Sequence, residues 1–191
     1  MCSILQRYFV HLKNSAYTPK DATVLLTRAR ELVGERATVR DSRVSKKYIE
    51  FDTSVPDGTD IGDLVGRLEK ISPLASYEHI AERHMEKGEA IKRAIELFND
   101  EKYWGTHEAL EAVWKETPAG AERDLLNGVI LVAAAFVHDE KDEQEICMSI
   151  LRRARNKLEG ATGRYHGIDM DRFVERVQGI LNTGVIERFT I

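Results

Sequence analysis

The string His107-Glu108-Ala109-Leu110-Glu111 holds the residue types best suited to chemistry in this chain. A histidine and a carboxylate four positions apart on a helix project the same way, so they can share a cation or a proton. Where a zinc protease would carry its second histidine this chain has Glu111, and the Glu-x-x-His order of di-iron bundles is absent. No third ligand is evident, and Arg123 would repel a cation. The plainer alternative is a buried ion-pair network in which Glu111 is held by His107 and Arg123. The residue types alone favour that network, because structural ion pairs also gather at the edge of a core.

The arithmetic of the helix says which groups could meet. At about 100° per residue, Tyr103, Leu110 and Trp114 form an apolar stripe, His107 and Glu111 flank it, and Glu108 lies farther out. On the next helix Arg123, Asn127, Leu131, Ala134 and His138 share one stripe. An antiparallel pairing about a turn near Pro118 sets Glu111 level with Arg123 and Asn127. This predicts a cluster of His107, Glu111, Arg123 and Asn127, with Glu111 mostly buried against Arg123, since an unpaired buried carboxylate is costly. His138 stands roughly 15 Å farther along by helical rise. The candidate binding residues are therefore His107, Glu108, Glu111, Arg123 and Asn127. No metal site and no catalytic residue is assigned, and the cofactor is left unknown.

Other chemistry-bearing residues have plainer readings. Trp104 and Trp114, at helical spacing, are core or the wall of a pocket. Arg152, Arg153, Arg155 and Lys157 read as a solvated helix face with Glu159 beside them. Arg36, Arg40, Arg43, Lys46 and Lys47 could touch phosphate, but Lys47–Thr53 lacks the glycine-aromatic signature of an RNA-recognition strand. Cys2 and Cys147 belong to no Cys-x-x-Cys pair. No phosphate loop, dinucleotide fingerprint or nucleophile elbow is present.

The elements that must position these groups fall into two sets. Residues 4–13 alternate, with Tyr8, Val10 and Leu12 on one face and Arg7, Phe9 and His11 on the other, as a strand does. Thr18-Pro19-Lys20-Asp21 is a helix start, and Gly34 ends that helix. Strands are expected at about 38–44 and 47–53, a turn at Pro56-Asp57-Gly58, a helix through Ile61, Leu64, Val65, Leu68 and Ile71 stopped by Pro73, and a fourth strand at 74–80. The order β-α-β-β-α-β is that of a ferredoxin-like domain. From Ala81 strand signals vanish and five helices are expected, at 83–99, 103–115, 120–138, 142–160 and 169–183. The third is apolar nearly all round and should be the buried centre. The fold class is α+β: a ferredoxin-like domain over 1–80, then an all-α helical bundle over 81–191.

Of 191 residues, 42% are apolar, enough for a packed core, and 31% are charged. The net charge of −4 argues against a protein that coats nucleic acid or anionic membrane. The longest apolar stretch, Leu125–Val137, is too short to span a bilayer, and no signal peptide is seen. A cytoplasmic protein is expected.

The residues Phe98-Asn99, Tyr103-Trp104, His107-Glu108-x-Leu110-Glu111-x-x-Trp114, Arg123, Gly128, Ala133-Ala134-Ala135 and His138, with the tail Tyr165-His166-Gly167-Ile168-Asp169, resemble the domain of unknown function 309 family. The resemblance covers somewhat under half the chain. It implies a compact helical bundle whose characteristic polar feature is the His107–Glu111 face, and it implies no reaction. Members usually show glutamine where Asn127 and Leu131 stand, and a Gly-Asn turn where this chain reads Asp139-Glu140-Lys141-Asp142. The first 80 residues lie outside the resemblance and read as an accessory domain.

The leading expectation is a small-molecule-binding or regulatory module whose polar site edges the bundle, with a front domain that senses, docks or forms a homodimer. A metal-assisted hydrolase using His107, Glu108 and Glu111 is the alternative, and an RNA-associated protein using the basic cluster of residues 36–47 is the third. Membrane is not among the expected partners, and nucleic acid ranks well behind a small ligand.

Overall fold

The computed structural model describes residues 5–80 and 85–191. The expected strand residue Ile4, Cys2, the expected helix start at 83 and the boundary after residue 80 fall at or beside segments outside the described residues. The molecule divides into two compact units, Met1–Arg83 with Glu140–Asp142, and His84–Asp139 with Glu143–Ile191.

The first unit is built on strands β1 (Leu5–Lys13), β2 (Thr38–Val44), β3 (Tyr48–Pro56) and β4 (Leu74–Ile80). They form one antiparallel sheet in the order β2-β3-β1-β4. Helices α1 (Ala22–Val33) and α2 (Ile61–Leu68) complete the β-α-β-β-α-β order. Alternation does the sorting, because successive strand residues face opposite ways. Val10, Leu12, Ile49, Phe51 and Val55 pack with Leu25, Ala29 and Val33 of α1 and Leu64, Val65 and Leu68 of α2 in one core. The start of the first helix is set as its residues predict: the Asp21 carboxylate accepts from the Thr18 backbone N–H at 2.7 Å and from its hydroxyl at 2.9 Å. Its first turn is a 3-10 turn, Pro19–Asp21. Two bounds differ from expectation. β3 runs on to Pro56, and α2 ends at Leu68, although Ile71 is still buried in the same core.

The face of the sheet turned away from the helices carries charge. His11 Nε2 lies 2.7 Å from Glu50 Oε2, the Arg43 guanidinium is bonded to the other oxygen of Glu50, and Asp41 takes a second Arg43 nitrogen at 3.1 Å. Arg7 forks onto Asp52 at 2.9 and 2.7 Å. His11, Arg43, Glu50 and Asp52 are all buried. Burial by itself would raise the Glu50 carboxyl, but Arg43 and His11 outweigh it and hold it at about 2. Charges taken out of water survive only in such mutual contact. This corrects one expectation: Arg43 is not offered to phosphate, because its guanidinium is buried and engaged with Glu50 and Asp41.

The second unit is an all-helical bundle apart from one small hairpin. Its helices are α3 (Lys87–Asn99), α4 (Tyr103–Glu116), α5 (Ala121–Asp139), α6 (Gln144–Lys157) and α7 (Met170–Thr183). The hairpin, β5 (Arg164–Tyr165) with β6 (Ile168–Asp169), was not expected: two residues per strand are too few to leave an alternating pattern. Asp169 then caps α7 by accepting from the Arg172 N–H at 3.1 Å. The central helix is α5. Val129, Val132, Ala133, Ala135 and Phe136 are nearly inaccessible. At Gly128 the contact with α6 leaves no room for a side chain, since a Cβ would lie 2.5 Å from Leu158 Cγ.

Two outcomes are expected. Gly128→Ala should destabilise the protein by about 1–2 kcal/mol in urea unfolding, because overpacking outweighs the helix propensity of alanine; a gain in stability would show that α6 is not held this closely. Glu50 carries a depressed folded value, so its contribution is present above the unfolded value of 4.5 and is lost as the pH falls toward about 2. Glu50→Gln should therefore cost on the order of 3 kcal/mol at neutral pH and flatten the acid limb of stability between those pH values.

Candidate functional site

Helix α4 has a buried stripe and a partly buried flank. Tyr103, Thr106, Leu110 and Val113 are buried and hold it to the bundle. The flank beside them carries Trp104, His107, Glu108 and Glu111, all partly buried. Trp104 and His107 are stacked, ring centroids 5.3 Å apart and planes 9° from parallel. The Trp104 indole N–H donates to Glu108 Oε1 at 2.9 Å, one turn on. Glu108 is thereby tied to Trp104.

His107 is the unusual group. Its Nδ1 is buried and has no hydrogen-bond partner among the described residues. Glu111 Oε2, its nearest carboxylate oxygen, is 4.0 Å away, too far for a hydrogen bond. Burial lowers the affinity of the ring for a proton more than Glu111 and Glu108 raise it, so the His107 pKa lies below its ordinary value. A neutral imidazole at neutral pH carries one donor and one acceptor, and here one of its nitrogens is kept from water without a partner.

The structure corrects the expected pairing of Glu111 with Arg123. Glu111 is 39% exposed at its side chain and is paired with Lys115 at 3.0 Å. Arg123 instead donates to the Thr117 carbonyl at 3.1 Å and lays its guanidinium over the Trp114 ring, 4.5 Å from the centroid. The reason lies in its place on α5. Arg123 sits in the first turn, where helical side chains lean back toward the N-terminus, and there the end of α4 offers carbonyls without helical partners. A planar cation also gains from an aromatic face.

Asn127 is parted from His107 as well. It lines a groove of about 1070 Å³ on the α6 side of α5, with Leu125, Leu131, Arg153, Asn156 and Tyr165. Most charges at this groove are already engaged: Lys157 with Asp124 at 2.7 Å, and Glu122 with the Tyr165 hydroxyl at 2.9 Å and with Lys87. His138 is bonded to Glu143 at the α5–α6 turn. The five candidates thus fall into a ledge of His107, Glu108 and Glu111, an Arg123–Trp114 clasp, and Asn127 in a separate groove. Among the described residues, no group of three or more His, Cys, Asp or Glu side chains is arranged to hold a metal ion. The Cys147 thiol is pushed up to about 12, chiefly by burial, so it is no nucleophile at neutral pH.

Sequence reasoning missed the partner of His107. Trp104 is three residues away, and an i, i+3 pair on a helix face could have been read as a stacked pair. It also missed the buried network of the first unit, although placing His11 and Arg7 on one strand face was its first step. The depressed proton affinity of His107 has a measurable sign. The stabilising contribution of the neutral ring is present above the unfolded value of 6.5 and is lost as the pH falls through the lower folded value. Wild-type protein should lose stability on acidification across that window more steeply than His107→Gln, as read from urea midpoints at a series of pH values. Equal slopes would show that His107 is not desolvated in the native state.

No curated protein matches this chain. The model of one family, described as a domain of unknown function (DUF309), matches residues 91–150. That stretch runs from within α3 to within α6 and contains the whole α4 ledge, so it is in its C-terminal part that the chain matches this family.

Proposed function

We propose that the protein is a small-molecule-binding or regulatory module whose ligand sits on the α4 ledge and, once the His107 ring turns to meet it, supplies the hydrogen bond that the buried Nδ1 lacks. The observation that carries this reading is that buried nitrogen without a partner. Leaving such a group unsatisfied costs about 1–3 kcal/mol, a cost that a ligand with a matching polar group would remove. The ledge adds an aromatic face in Trp104 and carboxylates in Glu108 and Glu111 at either side. The ligand class that suits them is a small molecule with an amine or hydroxyl donor. In the same reading the front unit, with its ferredoxin-like strand order, senses, docks or forms a homodimer, and the protein works in the cytoplasm. Among the described residues, no helix is long and apolar enough to cross a membrane.

The metal-assisted hydrolase finds less support, since His107 and Glu111 gain no third ligand among the described residues. The RNA-associated reading is weakened at two of its five cations, with Arg43 buried against Glu50 and Arg36 paired with Asp63 at 3.1 Å.

The test is a screen of small amines and polyols by ¹H–¹⁵N correlation spectra of the full chain. Hits should perturb the Trp104 indole and the amides of 104–111, and should be lost in His107→Ala. Hits confined to the α5–α6 groove, or retained by the variant, would move the site elsewhere.

A further inference from the structure

The segment that follows α7 has no secondary structure, yet it is held at three points. Gly184 ends α7 in the left-handed conformation, φ 71°, and residues 185–191 follow without regular secondary structure. The Asn99 side chain clamps the backbone of Ile191 from both sides: its Nδ2 donates to the Ile191 carbonyl at 2.9 Å and its Oδ1 accepts the Ile191 N–H at 2.8 Å. Arg188 is bonded to Asp139 at 2.8 and 3.2 Å and lies 3.6 Å from Glu101. Its side chain is 10% exposed. Phe189 enters an aromatic cage, with ring centroids 5.8 Å from Phe98, 5.7 Å from Phe136 and 5.6 Å from Phe173.

These are the parts of a peptide-recognition site: a two-point clamp on main chain, an acidic pair for a cation, and a cage for one aromatic ring. The segment itself behaves as a ligand. Every residue of 184–191 is exposed or only partly buried, and a space of about 170 Å³ remains beside Phe189–Ile191, bounded by Arg172, Phe173 and Arg176. As a rule, segments without regular secondary structure open more readily than helices.

We propose that this groove is a peptide-binding site, occupied within the chain by residues 185–191, whose ligand in trans is an extended peptide of another protein with the pattern Arg-Phe-x-aliphatic. The charge complementarity of Asp139 and Glu101 with arginine, and the three-ring cage around phenylalanine, set that pattern. The groove is independent of the α4 ledge, so each can fail without the other.

The probe is a fluorescein-labelled peptide of residues 184–191, titrated by anisotropy against the full chain and against Phe189→Ala, which empties the cage but leaves its walls intact. The tethered tail competes at an effective concentration in the millimolar range, so wild type should bind the peptide at least ~10-fold more weakly than the variant. A peptide with alanine at the phenylalanine should lose ~10-fold or more in affinity for the variant. A variant that binds no tighter than wild type, or that ignores the alanine change, overturns the proposal. So does a concentration-dependent dimer of wild type in sedimentation, which would make a second copy the occupant. Hydrogen exchange on wild type guards against a variant that fails to fold. The Ile191 amide should exchange well ahead of α5 and α7, and exchange only on global unfolding would make the tail a fixed part of the core.

Discussion

The bundle depends on the burial of α5. A helix with valine, alanine and phenylalanine on nearly every side cannot rest on one neighbour, so its apolar surface must be covered on several faces at once. Helix α4 covers one side with Tyr103, Leu110 and Val113, and α6 covers another so closely that only glycine fits at 128. The position of every polar group on α4 follows from that demand. Residues between the buried stripe and the solvent face are neither hydrated nor enclosed, and His107 is the one whose chemistry is most sensitive to such a place. Its neutrality and its unpartnered nitrogen are consequences of where the apolar stripe must point.

The two units solve the problem of buried charge differently. On the sheet, His11, Arg43, Glu50 and Asp41 hold one another by hydrogen bonds and charge, and the result is a carboxylate held at about 2 and a network bound to structure. On α4, Trp104 takes Glu108 and Lys115 takes Glu111, so the two carboxylates nearest His107 are both engaged with other donors. Each leaves one imidazole nitrogen without a hydrogen-bond partner among the described residues, His11 Nδ1 in the buried network and His107 Nδ1 on the ledge, and of the two rings only that of His107 is partly exposed.

Much of this was legible in the sequence where the signal is local and periodic. The alternation of residues 5–13, the Thr18-Pro19-Lys20-Asp21 start and the apolar α5 each state their structure through spacing alone. The helical arithmetic for the His107-Glu108-x-Leu110-Glu111 string likewise placed His107 and Glu111 on the flank of the buried stripe of α4. What spacing could not supply is the direction of a long side chain. The antiparallel count sets Arg123 level with Glu111, yet its guanidinium turns back to the Thr117 carbonyl and the Trp114 ring, because an aromatic face and a helix-end carbonyl compete well with an exposed carboxylate. Asn127 shows a related failure. It shares a helical stripe with Arg123, but the stripe is wide enough for its two members to face α4 and α6 separately. The buried charges of the sheet needed the register of three strands, Arg43 opposite Glu50 opposite His11, which no single stretch of sequence displays.

The account turns on the state of one imidazole ring. The ¹⁵N chemical shifts of the His107 side chain in the purified full chain report its charge and the hydrogen bonding of each nitrogen directly. The expected result is a neutral ring at pH 7 that takes up a proton only below the ordinary histidine range, with Nδ1 showing the shift of a nitrogen without a hydrogen-bond partner. An imidazolium at pH 7, or an Nδ1 firmly bonded to Glu111, would contradict it.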